Sequence, residues 1–324
     1  MAGDAAEINR SIFNEEAANY DEKHRKLNGR LTRELQARLD FIGVDWASDH
    51  DDSDEDDEVE AKEKPRREVR LLDYACGTGM MSRALAPYTT QCIGMDISEE
   101  MVAVYNKGAE NQGLWPDEMH AVLGDLASEA VDDALSSPEL FNFDIAVVGG
   151  GFHHFEDPEL AAKRLVERLR PGGVLLIWDF LPHGPLHLHH HHSHGHGHGH
   201  GHSHESAEKD EDQATREIFR SVMHHGFSEA RMREIFTGAG AGAEFQLEVI
   251  GRGFAIGGHG HEHQHEHQKT AALDEKWEGQ GRGDAGAKAG EDKGEDKDNK
   301  EALRRQVFFA RGTKGDGRGL DARF

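Results

Sequence analysis

The stretch that decides the fold is Val69-Arg-Leu-Leu-Asp-Tyr-Ala-Cys-Gly-Thr-Gly79. Residues suited to a buried strand lead into an acid, Asp73, and the chain then turns through glycines toward a helix. A strand, a glycine turn and a helix N-terminus together form a nucleotide-cofactor site in doubly wound α/β folds. The stretch therefore predicts such a fold, with a cofactor at the turn.

The acid before the turn narrows the choice of cofactor. The spacing lacks the third glycine of the dinucleotide fingerprint G-x-G-x-x-G, and a carboxylate at Asp73 would be poorly placed against an anionic pyrophosphate. S-adenosylmethionine carries an ammonium and a sulfonium, and a carboxylate beside these charges is favourable. We therefore interpret the turn as a methyl-donor site.

Composition indicates one folded domain with three low-complexity insertions. The chain has 324 residues and a formal charge of −25, and the segments 48–65, 184–212 and 258–300 are too polar to join a core. Roughly 230 residues remain without them, which fits one α/β domain. We expect residues 1–47 to form N-terminal lid helices and residues 66–324 to form the methyltransferase domain. The acidic insertion and the two histidine-rich insertions are expected to be disordered.

The charge balance and the cysteines argue against several classes of protein. Nucleic-acid binding normally needs clustered Lys and Arg, and this acidic chain has no basic stripe. Its two cysteines, Cys76 and Cys92, form no disulfide framework and indicate a reducing compartment. The N-terminus lacks an apolar secretory core, and no run reaches the ~20 apolar residues of a membrane span. The expected location is the cytoplasm.

Strands and helices alternate along the chain, as they do in parallel sheets with right-handed crossovers. Two amphipathic helices come first, with apolar residues at helical spacing in 8–20 and 31–39. These helices are expected to cover one face of the sheet, and residues 13–21 could also form a lid over the cofactor. Packing is the favoured role for Phe13, whereas Tyr20 suits either role. The strands that follow 69–73 are predicted at 91–96, 120–125, 143–148, 174–180, 245–250 and 306–310.

Local signals predict where the later helices begin and end. Ser98, Asp157 and Ser228 are predicted N-caps, because their side-chain oxygens can accept hydrogen bonds from the first turn of a helix. Leu169 is predicted to line the helix that begins after Asp157. The sequence Pro171-Gly-Gly is predicted to stop that helix.

Polar residues follow the strand ends, where open α/β sheets bind ligands. Asp96 ends the second strand, at an offset from the glycines that suits the ribose hydroxyls. Asp125 ends the third strand, where it would either accept a hydrogen bond from the adenine amino group or cap a helix. His153 and His154 follow the fourth strand and are candidate general bases. The alternative is that one packs beneath the loop and the other caps the helix at Asp157.

Five ordered motifs resemble the class I S-adenosylmethionine-dependent methyltransferases, in the branch of ubiquinone- and menaquinone-pathway enzymes and related small-molecule methyltransferases. The motifs are residues 71–79, 94–98, 124–125, 152–158 and 169–174. The resemblance covers nearly everything outside the three insertions. It implies a Rossmann-like, seven-stranded sheet whose last strand runs antiparallel.

The resemblance also implies a set of cofactor-binding residues. Asp73 would lie near the methionine ammonium, Asp96 would hold the ribose hydroxyls, and Asp125 would contact the adenine. The full set is Tyr20, Asp73, Ala75, Gly77, Thr78, Gly79, Asp96, Ile97, Met101, Asp125, Leu126, Gly149 and Gly150. The family usually has glycine where this chain has Ala75, which predicts a slightly tighter contact and no loss of donor binding.

The implied reaction is methyl transfer to an oxygen or carbon of a small-molecule acceptor. The donor is already activated, so the enzyme mainly aligns the acceptor and excludes water. A base such as His154 or His153 is needed only if the acceptor must lose a proton. Methylation of an adenine or amide nitrogen is disfavoured, because Gly149-Gly-Gly replaces the Asn/Asp-Pro-Pro-aromatic sequence expected after the fourth strand.

Two histidine tracts, His187 to His204 and His259 to His267, support a hypothesis of another class. Neutral imidazoles bind Zn and Ni, and one hypothesis is that the tracts jointly bind a divalent metal near the mouth of the site and damp or gate turnover. Another is that the chain is a non-catalytic, methyltransferase-like protein that binds a divalent metal through these tracts. The alternative, which we favour, is low-complexity sequence with only incidental affinity for Zn or Ni. The sequence predicts no particular oligomeric state.

Overall fold

The computed structural model describes residues 2–47, 67–183, 221–255 and 304–316. The described residues up to 251 and from 306 onward belong to one compact unit, and the described residues 252–255 and 304–305 belong to a second. The predicted insertions and both histidine tracts lie outside the described residues. Within the described part of the chain, no helix is long and apolar enough to cross a membrane.

Seven strands form one sheet. They are β1 (Arg70–Tyr74), β2 (Gln91–Asp96), β3 (Met119–Leu123), β4 (Phe143–Gly149), β5 (Leu169–Phe180), β6 (Ala243–Ala255) and β7 (Arg304–Thr313). Their order across the sheet is β3-β2-β1-β4-β5-β7-β6. The pairs β1–β2, β2–β3, β1–β4 and β4–β5 are parallel, whereas β7 runs antiparallel to β5. The predicted Rossmann-like sheet with an antiparallel last strand is confirmed.

The strand order reverses at β1, because β2 and β3 lie on one side of it and β4 lies on the other. Such a switch point leaves a crevice at the carboxyl ends of the strands, and ligands bind there in open α/β sheets. The central strands are buried on both faces, as parallel strands between helices require. Leu71, Leu72 and Phe143 are fully buried there, so the crevice stands on a rigid core.

Seven helices are present in the described residues: α1 (Ala2–Glu16), α2 (Tyr20–Gln36), α3 (Leu39–Ile42), α4 (Met80–Leu85), α5 (Glu99–Asn111), α6 (Pro158–Arg168) and α7 (Glu229–Ala239). The two predicted N-terminal helices are confirmed as α1 and α2, and the short α3 follows them. All three predicted N-caps are confirmed. The side chains of Ser98, Asp157 and Ser228 accept hydrogen bonds from backbone N–H groups in the first turns of α5, α6 and α7.

The last two strands are longer than predicted, and two further boundaries, at the start of β5 and the end of β3, are wrong. Leu169, predicted to line α6, instead begins β5 and pairs with Phe143. The proline and glycines after it form an irregularity within the strand, because Gly172 adopts a φ of +75° and donates a backbone hydrogen bond to Lys314. β3 ends at residue 123, before Asp125, so that acid lies in the loop beyond the strand.

Candidate active site

A cavity of about 520 Å³ lies at the carboxyl ends of β1, β2 and β4, beside the switch point of the sheet. Its volume is typical of small-molecule sites. The loops that follow the first four strands supply most of its wall, and helices α1, α2, α5 and α6 supply the rest. The crevice expected from the topology is therefore present as a cavity large enough to hold a small molecule.

Nine of the thirteen predicted cofactor residues line this cavity. They are Tyr20, Ala75, Gly77, Asp96, Ile97, Met101, Asp125, Gly149 and Gly150. The other four, Asp73, Thr78, Gly79 and Leu126, lie outside the lining. Of the two candidate bases, His154 lines the cavity and His153 does not.

The turn after β1 is built from left-handed backbone. Ala75, Gly77 and Gly79 have φ angles of +52°, +51° and +94°. At Gly79 a Cβ atom would lie 2.6 Å from the ring of Tyr105, so only glycine fits. Ala75 takes the same left-handed conformation with a side chain, at a cost of about 1–2 kcal/mol. The turn therefore holds a strained alanine where it meets the cavity.

Asp96, at the end of β2, joins two strand ends. Its carboxylate accepts hydrogen bonds from the backbone N–H of Gly77, at 2.8 Å, and of Ser98, at 2.9 Å. The residue is 7% exposed. Burial raises the pKa of Asp96, and the backbone donors oppose that rise by stabilising the ionised form. This acid lines the cavity at the position that the sequence predicts for ribose binding.

Asp73, near the end of β1, lies outside the cavity wall. Its Oδ2 atom accepts hydrogen bonds from the backbone N–H and the hydroxyl of Ser82, at 3.0 and 2.7 Å. It is 1% exposed, and burial raises its pKa to about 7. The Oδ1 atom of the same carboxylate is buried without a partner in the described structure. That this carboxylate lies near the donor's ammonium stays a prediction. Asp73 anchors α4 beneath the turn.

Tyr74 is a cavity residue that the sequence reasoning missed. Because side chains alternate along a strand, it takes the face opposite to Asp73, and this alternation is the signal that identifies it. Its hydroxyl donates a hydrogen bond to Asp125 and accepts one from the backbone N–H of Leu126, both at 3.1 Å. Asp125 also accepts from the N–H of Ala127 at 2.8 Å. Tyr74 thus holds the loop after β3 against the cavity.

The two histidines lie in a 3₁₀ turn after β4. The Nδ1 atom of His154 lies 2.8 Å from the carbonyl oxygen of Ser221. Because a carbonyl only accepts, Nδ1 carries the proton and Nε2 carries a lone pair. Burial, with a smaller effect of His153, lowers the pKa of His154 to about 3.

His153 lies beneath the loop, as one of the sequence-based alternatives stated. It is buried, and its Nδ1 atom lies 3.0 Å from the carboxylate of Asp179. The second half of that alternative is wrong. Neither histidine caps α6, because the side chain of Asp157 itself accepts the hydrogen bond from the first turn.

Helix α1 forms one wall of the cavity. Phe13, expected to pack, lies in this wall and meets the ring of His154 edge-on, with 5.4 Å between ring centroids. Asn9 lies in the same wall, and nothing in the helical spacing of the sequence distinguished it. Arg10 forms an ion pair with Glu99 at the start of α5. The N-terminal helix is therefore attached to the helix that follows β2.

Two further contacts tie the N-terminal helices to the loops of the cavity. The hydroxyl of Thr78, in the glycine turn, donates a hydrogen bond to Asp21 at 2.6 Å. The side-chain oxygen of Asn14 accepts one from the hydroxyl of Ser98, also at 2.6 Å. Thr78 thus connects the glycine turn to α2 and does not line the cavity.

The charges of the cavity fit a cationic cofactor. Five acids line it: Asp96, Asp125, Glu129, Glu156 and Asp157. No lysine or arginine is among the lining residues that the structure describes. A pyrophosphate would meet only like charge here, whereas the sulfonium and ammonium of S-adenosylmethionine would meet opposite charge. The residues present therefore fit that donor.

The metal hypothesis is not tested by the structure. In the described ranges, no group of three or more His, Cys, Asp and Glu side chains is arranged to hold a metal ion. Both histidine tracts lie beyond those ranges. Binding of Zn or Ni by the tracts stays a prediction.

The chain is similar to known methyltransferases. Residues 72–177 match the family described as a methyltransferase domain. An uncharacterised methyltransferase of Schizosaccharomyces pombe is 32% identical over 124 residues, which are 37% of this chain and 43% of that protein. A demethylmenaquinone methyltransferase of Thermus thermophilus is 32% identical over 116 residues, which are 35% of this chain and 48% of that protein. The crystal structure of YcgJ from Bacillus subtilis superposes with a TM-score of 0.44 at 18% identity, over 77% of this chain and 93% of that one.

The fold, the site and the family match define the class of this domain. Residues 72–177 form a class I S-adenosylmethionine-dependent methyltransferase domain. The chain spans less than half the length of the two curated relatives described above. The family match ends within β5 and therefore does not include β6, β7 or the N-terminal helices.

Proposed function

We propose that this chain transfers a methyl group from S-adenosylmethionine to an oxygen or carbon atom of a small-molecule acceptor. The observation that carries the proposal is the cavity of about 520 Å³ at the switch point, which brings the glycine turn and the strand-end acids together. A space of this size has room for the donor and part of a small acceptor. Relatives that are demethylmenaquinone and ubiquinone-biosynthesis methyltransferases support an acceptor of this class.

The strand-end residues would hold the donor. When bound, S-adenosylmethionine supplies a methyl group on a sulfonium that leaves readily. Asp96 would accept hydrogen bonds from the ribose hydroxyls, Ile97 would pack on the adenine, and Asp125 would contact the adenine edge. Gly149 and Gly150 would flank the methionine part. The wall formed by α1 would exclude water and keep donor and acceptor aligned.

We assign His154 a role in binding the methyl acceptor. Its neutral ring offers the Nε2 lone pair to a hydrogen-bond donor, while Nδ1 is held by Ser221. With a pKa of about 3, this imidazole is a weak proton acceptor at neutral pH. In this proposal His154 therefore orients the acceptor, and His153, buried against Asp179, positions the turn.

We also propose that residues 1–47 act as a cover and that residues 66–324 act as the methyltransferase domain. The support for a cover is the attachment of α1 to α5 through Arg10 and Glu99. Because α1 forms part of the cavity wall, moving it would open the site to water.

Calorimetry with S-adenosylhomocysteine tests the proposed function. We expect micromolar binding to the wild type and a loss of about 100-fold in Asp96→Ala, because the ribose and two backbone N–H groups lose their shared acceptor. Asp117→Ala, which removes an exposed acid outside the cavity, should bind like the wild type. If the wild type does not bind S-adenosylhomocysteine, the proposal is refuted. Binding without transfer of a labelled methyl group to any small-molecule extract would show a non-catalytic protein.

A further inference from the structure

We place the acceptor at the end of the cavity that is formed by α1, by the turn between β4 and α6, and by the first turn of α6. Asn9, Phe13, His154, Phe155 and Leu160 line it. Three of these five side chains are apolar and two of those are aromatic, so a bound molecule would contact mainly apolar surface. Such walls usually carry a few polar groups that orient the ligand.

Asn9 is the polar group in this wall whose hydrogen bonding is incomplete. It is 6% exposed and lines the cavity. Its Nδ2 atom donates a hydrogen bond to the backbone carbonyl of His154, at 3.3 Å, but its Oδ1 atom is buried without a partner in the described structure. Buried polar atoms are nearly always paired, so an unpaired acceptor in a cavity wall points to a donor on the ligand.

The charged side chains that line the cavity are all negative. Glu129, Glu156 and Asp157 line the cavity and are exposed, and no described lining residue is a lysine or arginine. A cleft lined by charges of one sign concentrates counter-ions and repels ions of its own sign. An anionic acceptor would therefore find no partner for its charge.

We infer that the acceptor is an uncharged or cationic molecule with an apolar body, that it donates a hydrogen bond to Oδ1 of Asn9, and that carboxylates and phosphates are excluded. This inference rests on the proposed function. Nε2 of His154 offers a second acceptor atom in the same wall. A carboxylate or phosphate oxygen has no proton for either atom, and the acids of the cavity wall would repel its charge.

Sinefungin, which carries a protonated amine where the donor carries its methyl group, probes this end of the cavity. By calorimetry we expect the wild type to bind sinefungin about tenfold more tightly than S-adenosylhomocysteine, through charge and hydrogen bonding. In Asn9→Ala this preference should fall below about threefold, while the affinity for S-adenosylhomocysteine stays within about twofold of the wild type.

Asn14→Ala is the matched control on the same helix. It removes hydrogen bonds that tie α1 to Ser98 and Glu99, yet Asn14 does not line the cavity. It should keep the preference for sinefungin. The inference is overturned if the wild type binds both ligands equally, if Asn9→Ala keeps the preference, or if Asn14→Ala loses it equally. If the wild type binds neither ligand, the proposed function fails as well.

Fractionation of a small-molecule extract tests the exclusion of anions. With labelled donor, acceptor activity should pass through an anion-exchange column at neutral pH. Label transferred to molecules that the column retains and salt elutes would overturn the inference. Absence of labelled product in every fraction, with S-adenosylhomocysteine binding intact, would contradict the transfer activity itself and the inference with it.

Discussion

Asp73 and Asp96 lie at the ends of neighbouring parallel strands, and the structure uses them differently. Both are more than nine-tenths buried, and burial raises the pKa of both. Asp73 is bound by Ser82 of α4, outside the cavity wall. Asp96 is bound by the N–H groups of Gly77 and Ser98 and lines the cavity. One acid therefore anchors a helix, and the other shapes the proposed donor site.

The pairing register explains this difference. Asp73 pairs with Gly94 in the next strand. Asp96 therefore lies two residues, or about 6–7 Å, further toward the carboxyl edge of the sheet. Asp73 remains inside the sheet beneath α4, whereas Asp96 reaches the edge where ligands bind. The role of an acid near a strand end thus depends on how far it lies from the carboxyl edge of the sheet. The sequence of the strand alone does not show that distance.

Asp73→Asn should give the largest effect, on the pH dependence of stability. The pKa of Asp73 is about 7 in the folded chain, against an ordinary value of 3.8. A raised folded pKa means that this group's stabilising contribution is fully present below about pH 4 and is lost as the pH rises through about 7. The wild type should lose about 2–3 kcal/mol from this source between about pH 5 and pH 8, and Asp73→Asn should not.

Urea unfolding of both proteins at these two pH values measures the difference. Asp117→Asn, at an exposed acid, is the control and should keep the wild-type pH dependence. S-adenosylhomocysteine affinity of Asp73→Asn should stay within about threefold of the wild type, because the side chain is outside the cavity. An unchanged pH dependence in Asp73→Asn would show that this carboxyl does not carry the effect.

Asp96→Asn makes the same substitution at the other strand end and should mainly weaken binding. An amide offers one acceptor oxygen and no charge, where the carboxylate receives two backbone N–H groups and would also receive the ribose hydroxyls. The affinity for S-adenosylhomocysteine should fall by about 10- to 100-fold, or ~1.4–2.7 kcal/mol. Calorimetry measures the loss. If Asp73→Asn weakened binding as much as Asp96→Asn, the contrast between the two acids would fail.

Ala75→Gly should give the smallest effect and the opposite sign. Ala75 has a φ of +52°, which costs an alanine about 1 kcal/mol or more and costs glycine almost nothing. The free energy of unfolding should therefore rise by up to about 1 kcal/mol, with donor affinity unchanged. Ala103→Gly, in the exposed face of α5, should instead lower it by about 0.5–1 kcal/mol. Thermal unfolding of the two variants decides, and a loss of stability in Ala75→Gly would count against a strained turn.

The sequence predicted most of the sheet because its signals are local. The bounds of β2 were predicted to the residue, since an apolar run ends at Asp96 before the capping Ser98. β5 was predicted too short because its proline and glycines looked like a helix stop. Gly172 is instead held in the sheet by a hydrogen bond to Lys314, more than a hundred residues away.

Local signals also predicted those site residues that lie next to strand ends. Loop residues next to the glycine turn and the strand ends were identified, because their positions follow from the strand that precedes them. Asn9 was missed, since its place in the wall depends on how α1 packs against α5 through Arg10 and Glu99. The spacing of residues within α1 does not reveal that contact.

By itself, the sequence determined the class of fold and the charge of the cofactor. Strand–helix alternation, glycine conformation and helix caps are properties of neighbouring residues, and the acids at the strand ends favour a cation. Only the tertiary structure decided that Asp73 supports α4 while Asp96 lines the cavity, and that α1 completes its wall. Strand register and helix packing join residues far apart in the chain, so no local pattern contains them.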